Sequence, residues 1–562
     1  MTMSIRKDIY YLFALLILAG VIFGFRLGSF GLLDPDEPFY TLTAKEMIAR
    51  HDPSTPVIFG QPQFEKPIFF YWVLYAFFKL FGVNEFASRL GPCLAGILTV
   101  LTTYLWGRVL FRRREIAFAS AVILATSVEF IIISRIVLTD MFLCLFVTAA
   151  LASFSVGYFY LKYRRLAWIF VFLFCGLGFL TKGPLGVLLP FFGIVSYLLA
   201  NDEKHLLKEI PWGWGLLAFM LIGLPWYARM TAHHGAEFLR HFFIHENIRR
   251  FFVAEHKSSD RFLFYFAAVL IGFFPWSGFL FGGLSYAGRE AGKRRTKTQK
   301  TYLFLILSFV LPFIFFTYAK SKLLSYIFPA FPLVALIVGA WIYRSYRAVR
   351  LNARPRFSLI LLSFIFLGVL PAGIVLTAFI YNAVEHLGLF LPMAVIAISF
   401  VPFCWMSLIH YRRKRYQTAF FSIIVSMIFF SSLSFGWLLP AADAAFSSRN
   451  AVASYEKLVH PDNRNFLLAS KLFVRGVSYY TGDEQVGVLV EDPRWVFYTS
   501  HAIPVFSTLE DILRIDRIKF PVYCFLRQKE LKLLKSIIDA RFSTQVLETN
   551  GQRVLVRLDR TP

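Results

Sequence analysis

Residues 10–40 read YYLFALLILAGVIFGFRLGSFGLLDPDEPFY. From Tyr10 to Phe30 the only charge is Arg26, and then Asp34, Asp36 and Glu37 follow in quick succession. A helix needs about 20 apolar residues to cross the hydrocarbon core of a bilayer, so the run reads as a membrane span and the acidic segment as the point where the chain leaves lipid. The run follows Arg6 and Lys7 but ends without a small-x-small cleavage site. It is therefore read as a retained span and not a removed signal peptide.

Working outward, the same pattern recurs along the chain. Apolar runs fall at 9–30, 89–111, 115–133, 140–161, 184–200, 211–228, 263–287, 301–318, 323–343, 358–380, 388–409 and 417–439. A shorter run at 166–181 pairs with 184–200 as a tight hairpin, which makes about thirteen spans. The whole chain of 562 residues is 57% hydrophobic and 17% charged, where soluble domains average about 45–50% and about 25%. Its mean hydropathy is +0.60. No globular core accounts for that excess; lipid does. The expected fold is an all-α polytopic membrane domain followed by a small C-terminal α/β extracytoplasmic domain.

The net charge of +25 does not imply nucleic acid, because no basic helix or aromatic–basic platform accompanies it. It sits instead in short loops. With the N-terminus cytoplasmic, Arg112–Arg114, Lys162–Arg165, Lys293–Lys300, Arg344–Arg356 and Arg412–Arg415 all fall on the inner side, as the positive-inside rule requires. That parity makes Ile68–Gly82 an interfacial helix, since a span there would turn Arg112–Arg114 outward. The five cysteines, Cys93, Cys144, Cys175, Cys404 and Cys524, show no CxxC spacing and imply neither zinc nor a disulfide framework.

The expected division is a membrane domain over 1–439, with outward loops 31–88 and 229–262, and an outward domain over 440–562. The latter alternates charged segments with β-like runs at Val486–Val490, Val522–Phe525 and Val554–Val556, and is long enough to fold alone.

Ionisable residues at membrane depth mark function, and those on the outward side come from loops far apart in sequence. Asp34-Pro35-Asp36-Glu37-Pro38 admits two readings. It is either a solvated acidic turn at a helix N-terminus, or a source of a general base or electrostatic stabiliser, with Asp36 and Glu37 the candidates. Glu65-Lys66 is either a local surface pair or a phosphate ligand beside a carboxylate able to take a divalent cation. Asp140, by its position at a helix start, reads as an N-cap-like carboxylate. Lys320 and Lys322, with Tyr326 near, either snorkel or hold a lipid phosphate, and Arg249-Arg250 beside Phe251-Phe252 suits headgroups. His241, His245 and His256 are too irregularly spaced for a metal site.

Eight segments carry a resemblance: DPDEPFY (34–40), FEKPIFFYW (64–72), FGVNEFASR (81–89), LTDM (138–141), LTKGP (180–184), FFIHENIRRF (242–251), GFFPW (272–276) and AKSKLLSYIFP (319–329). In this order they resemble the bacterial aminoarabinose–lipid A transferases and the wider polyprenyl-phosphate-sugar transferases related to protein mannosyltransferases, all of the GT-C fold. The resemblance implies a glycosyltransferase of the bacterial inner membrane, working at its periplasmic face. It would move a sugar from a polyprenyl-monophosphate (undecaprenyl-type) donor to a lipid A-like or other envelope acceptor, with inversion at the anomeric carbon.

It further implies that Asp36 and Asp140 are the catalytic acids and that Glu65 and Lys66 sit at the donor phosphate. Lys320, Tyr326 and Arg250 would help hold the lipid phosphate, and the reading of the paired lysines adds Lys322. No cofactor is certain; a divalent metal at Glu65 is the one candidate. Two positions depart from the pattern. Phe39 stands where the aminoarabinose transferases carry arginine, and Asn247 where they carry histidine, with His245 two residues off register. The particular sugar and acceptor are therefore not carried over. Rival readings are a transporter or flippase of lipid-linked sugars, which would need charges lining a mid-membrane path, and a protein O-glycosyltransferase on the same scaffold.

Overall fold

The computed structural model describes residues 2–249, 252–253, 262–293, 296–347, 389–413, 415–459, 465–482, 485–492, 503–515 and 519–561. The expected span at 358–380 and the candidate Arg250 lie outside them. Among the described residues seven helices are long and apolar enough to cross a membrane, or nine if each of two bent pairs forms one span. The expected thirteen is not reached among these residues. Lipid is nonetheless the fitting solvent: in the first helix, Arg6–Gly24, only 22% of the apolar window is covered by protein, and Ile9, Phe13, Leu16 and Ile17 project outward from it.

The first half of the chain runs α1 (Thr2–Gly24), α2 (Asp36–Ala49), the hairpin β1 (Val57–Ile58) and β2 (Gln61–Pro62), α3 (Phe69–Phe81) and α4 (Glu85–Phe111). It continues with α5 (Arg114–Ala125), α6 (Val128–Ile133), α7 (Asp140–Phe159), α8 (Arg164–Lys182) and α9 (Leu185–Ala200). At 13 residues α3 is too short to span; it buries Phe70, Tyr71, Leu74 and Phe78 and exposes Trp72, Leu80 and Phe81. The predicted hairpin is present, turning at Gly183 and Pro184 between α8 and α9. Its arms meet at Gly178 and Gly186, where a Cβ on Gly186 would fall 2.1 Å from the Gly178 carbonyl carbon. Only glycine permits that approach.

Three expected spans are broken. The run 115–133 is divided at Thr126–Ser127, because both hydroxyls bond back to carbonyls of α5 and Val128 N donates to Phe274 O at 2.9 Å. The run 263–287 bends by 113° between the helices Phe264–Gly272 and Ser277–Lys293, where Pro275 supplies no amide hydrogen. The run 211–228 bends by 50° between Trp212–Gly223 and Pro225–Arg249.

Two buried arginines close the C-terminal end of α1 and the turn after it. Arg135 donates to the carbonyls of Ile22, Phe23 and Phe25, and Arg89 to those of Leu27, Phe30 and Gly31. Arg135 thus meets carbonyls of the last turn of α1, where a helix end favours cations, and Arg89 ties down the loop that follows. At the other end of α1, roughly 24 Å away for 16 residues of helix, Asp8 pairs with Arg108 and Arg114.

The C-terminal region is the expected α/β unit. Six strands, β3 (Leu467–Ser470), β4 (Val486–Leu489), β5 (Val505–Phe506), β6 (Val522–Arg527), β7 (Phe542–Asn550) and β8 (Arg553–Arg560), form one sheet in the order β5-β4-β3-β6-β8-β7. The first four are parallel; β8 and β7 add antiparallel. Separate apolar clusters cover the two faces, so β3 and β4 read as unbroken apolar runs. Cys524 is buried in the sheet as a free thiol.

Candidate active site

The Asp34–Pro38 segment becomes the start of α2, and its three carboxylates go to three different places. Asp34 turns into the C-terminal region: Arg553 Nη1 donates to its Oδ2 at 2.9 Å and Ser448 Oγ at 2.6 Å. Burial pushes its carboxyl up to about 6, against the pull of Arg553. Asp36 alone of the three is solvent-exposed. Desolvation by the surrounding protein still holds its carboxyl above the ordinary value; Arg475 and Lys66 oppose that shift, whereas Glu37 and Asp140 add to it.

Glu37, the other catalytic candidate of this segment, is buried and both its oxygens are engaged. Oε1 accepts from Arg89 Nε at 3.0 Å and Val137 N at 2.9 Å, and Oε2 from Arg89 Nη2 at 2.6 Å and Leu33 N at 2.7 Å. Successive helical side chains diverge by about 100°, which sends Asp36 outward and Glu37 inward. The Glu37–Arg89 pair is a clamp joining α2, α4 and the end of α1.

Asp140 opens α7 and is buried. Lys182, the last residue of α8, donates to its Oδ1 at 2.6 Å and lies 4.9 Å from the centroid of the Tyr326 ring. Lys182, within the LTKGP segment, thus joins Asp140 to Tyr326. Tyr40 is buried within reach of the charges of Asp140, Asp36 and Glu65, and its phenol is held neutral by burial. Lys66 Nζ donates to Glu65 O at 3.3 Å and to Glu246 Oε2 at 3.4 Å. Glu246, on the wide π-type helix Arg240–Arg249, is a partner the sequence did not single out.

Lys320 and Lys322 were expected to act together on a phosphate. They differ in setting: Lys320 is exposed, Lys322 is buried, and Tyr326 is half-buried four residues on. A further cation comes from an unexpected source. Arg475, on the helix Val474–Thr481, lies with its guanidinium 4.8 Å from the centroid of Phe39. Its charge is felt at Asp36, and the charges of Glu65 and Asp36 are felt in return. Nothing in the sequence around Arg475 marks it.

Among the described residues no three His, Cys, Asp or Glu side chains converge as a metal set. Glu65 faces the field of Arg475, while His241 and His245 stack on one another at 5.3 Å. These donors do not fit a divalent metal, and the chemistry proposed below runs without one.

The assembled features, a bundle of apolar helices, a carboxylate–lysine site at one end and an α/β unit seated beside it, define a multi-pass membrane protein of the GT-C fold. Residues 8–236 match the family model described as dolichyl-phosphate-mannose-protein mannosyltransferase. The chain is 32% identical over 320 residues to undecaprenyl phosphate-alpha-4-amino-4-deoxy-L-arabinose arabinosyl transferase 2 of Proteus mirabilis, covering 56% of each chain. It is 34% identical over 330 residues to the corresponding enzyme of Edwardsiella ictaluri, covering 57% of this chain and 58% of that one. The matches thus span little more than half the length of these relatives.

In fold the likeness is nearly complete. The crystal structure of ArnT from Cupriavidus metallidurans bound to undecaprenyl phosphate superposes with a TM-score of 0.78 at 20% identity, covering 98% of this chain and 97% of that one. In sequence the likeness is thus to transferases named for undecaprenyl phosphate-linked aminoarabinose, and in fold to the ArnT structure.

Proposed function

We propose that the protein is a glycosyltransferase that moves a sugar from a polyprenyl-monophosphate donor to a lipid A-like or other envelope acceptor. The carrying observation is that Asp36, Lys66, Asp140 and Lys182 gather from α2, the loop before α3, α7 and α8 at one end of the bundle. Similarity to enzymes named for undecaprenyl phosphate-linked aminoarabinose transfer gives the donor class. The one-sided basic loops support a cytoplasmic N-terminus in a bacterial inner membrane, with residues 440–562 outward and residues 1–439 forming the transferase unit.

The chemistry follows from charge. As the sugar leaves, negative charge grows on the lipid phosphate, and fixed cations stabilise it more in the transition state than before. Lys66 fills that role, and Lys182, Lys320, Lys322 and Tyr326 add to the hold on the phosphate. Asp36, exposed and raised in affinity for a proton, accepts the proton of the acceptor hydroxyl or amine. Asp140, neutralised by Lys182, faces the positive charge developing at the anomeric carbon. In-line attack by the acceptor inverts that carbon.

The test uses purified protein in detergent, radiolabelled lipid-phosphate sugar and a lipid extract. Transfer of label to a new molecule, lost in Asp36→Asn and Asp140→Asn variants that still insert in the membrane, is the expected result. Full activity in both variants overturns the assignment. Absence of transfer by the unaltered protein with varied donors and acceptors favours transport of the lipid-linked sugar instead.

A further inference from the structure

The geometry points to Arg475 as a positioning residue of the transferase site, supplied by the C-terminal α/β unit to orient Asp36 and hold it ionised; this rests on the role proposed above for Asp36. The C-terminal unit is then part of the site and not an appendage.

The argument begins with how firmly the helix Val474–Thr481 is seated. Lys45 Nζ, on α2, donates to Tyr479 O at 2.6 Å. Tyr480 Oη accepts from Leu32 N at 2.8 Å and donates to Glu85 Oε1 at 3.0 Å. A Cβ on Gly476 would fall 2.2 Å from Asp34 Oδ1, so the helix backbone lies directly against the acidic segment. These contacts, from Gly476, Tyr479 and Tyr480, fix the helix on which Arg475 stands, and the Arg475 guanidinium lies over the ring of Phe39 at 4.8 Å. A guanidinium stacked on an aromatic ring keeps its charge while losing orientational freedom. Arg475 is half-buried there, between the carboxylates of Asp36 and Glu65 and the phenols of Tyr40 and Tyr71.

An exposed surface arginine would be screened and dispensable. One held over Phe39 among two carboxylates has a different effect. A neighbouring opposite charge favours the ionised carboxyl, and that of Arg475 opposes the desolvation that acts on Asp36. Without it the base would be protonated over a wider range of pH and would rest in a different orientation.

The experiment has two readouts. In the full-length protein in detergent, labelling of Asp36 by a hydrophobic carbodiimide, which reacts with protonated carboxyls, is followed against pH by peptide mass spectrometry. In Arg475→Gln the labelling midpoint is expected to rise by about one pH unit or more, and Arg475→Lys to restore most of it. The acid limb of the transfer rate should move upward by the same interval, in kcat more than in KM. Phe39→Leu, which keeps the charge but removes its platform, should give a smaller rise and stands in should Arg475→Gln fail to fold. An unchanged midpoint in Arg475→Gln, or in Phe39→Leu where that variant stands in, overturns the inference; a purely structural role would lower thermal stability without moving it. If the midpoint moves but no transfer is found in the unaltered protein, the transferase reading fails and the coupling of Arg475 to Asp36 stands.

Discussion

Lys182 Nζ donates to Asp140 Oδ1 at 2.6 Å, joining the last residue of α8 to the first of α7. Both side chains are largely removed from water, so neither charge is well solvated without the other. Removing one partner of a buried pair costs about 3–5 kcal/mol. Lys182→Met is therefore expected to lower the apparent melting temperature and to abolish transfer, while Asp140→Asn with Lys182→Met recovers stability but not activity. A double-mutant cycle on melting temperature and on transfer rate checks both parts.

Glu37→Gln should act on folding and not on chemistry. The substitution leaves the guanidinium of Arg89 buried without a counter-charge, and turns one acceptor oxygen into a donor facing other donors. A loss of about 3–5 kcal/mol is expected, seen as poor yield and a lower melting temperature. The fraction that folds should retain its activity per mole, which titration of folded protein against rate will show.

Gly476→Ala should loosen the C-terminal unit. Its added Cβ meets Asp34 Oδ1 at 2.2 Å, and overpacking of a close contact costs about 1–3 kcal/mol. Faster cleavage within residues 440–562 under limited proteolysis, with the helical bundle unchanged by circular dichroism, is the expected outcome.

Asp34 sets a pH dependence of stability. Its folded pKa of about 6 lies above the ordinary carboxylate value, so between roughly pH 4 and 6 the folded state holds a proton that the unfolded chain releases. On this account stability declines as pH rises through that window and is level above it. The Asp34→Asn variant should lose that slope. Melting temperatures measured at half-unit intervals will reveal whether it does.

Much of the bundle was legible because burial in lipid is written in composition. Runs such as 140–161 and 417–439 need no tertiary contact to be recognised. The breaks were not legible, since the interruption at Thr126–Ser127 depends on a bond from Val128 to Phe274, far along the chain. The same limit applies at the site. Asp36 and Glu37 are neighbours of like chemistry, and only the helix start and the position of Arg89 send one outward and the other inward. Lys182 could be placed on a face from LTKGP, but its bond to Asp140 needed the packing of α8 on α7. Arg475 carried no local signal. Phe39, read as a departure from the family pattern, is the ring on which that arginine rests.

The bond between Asp34 and Arg553 also has a bearing on biosynthesis. Its partners are separated by 519 positions, so one is made long before the other. Helices can enter the bilayer one by one as the ribosome advances, but the acidic segment after the first of them waits, with its counter-ion not yet made. A chain stalled before residue 553 would hold its spans and lack this lock. The order of synthesis thus delays completion of the acidic segment until the chain has been made through residue 553.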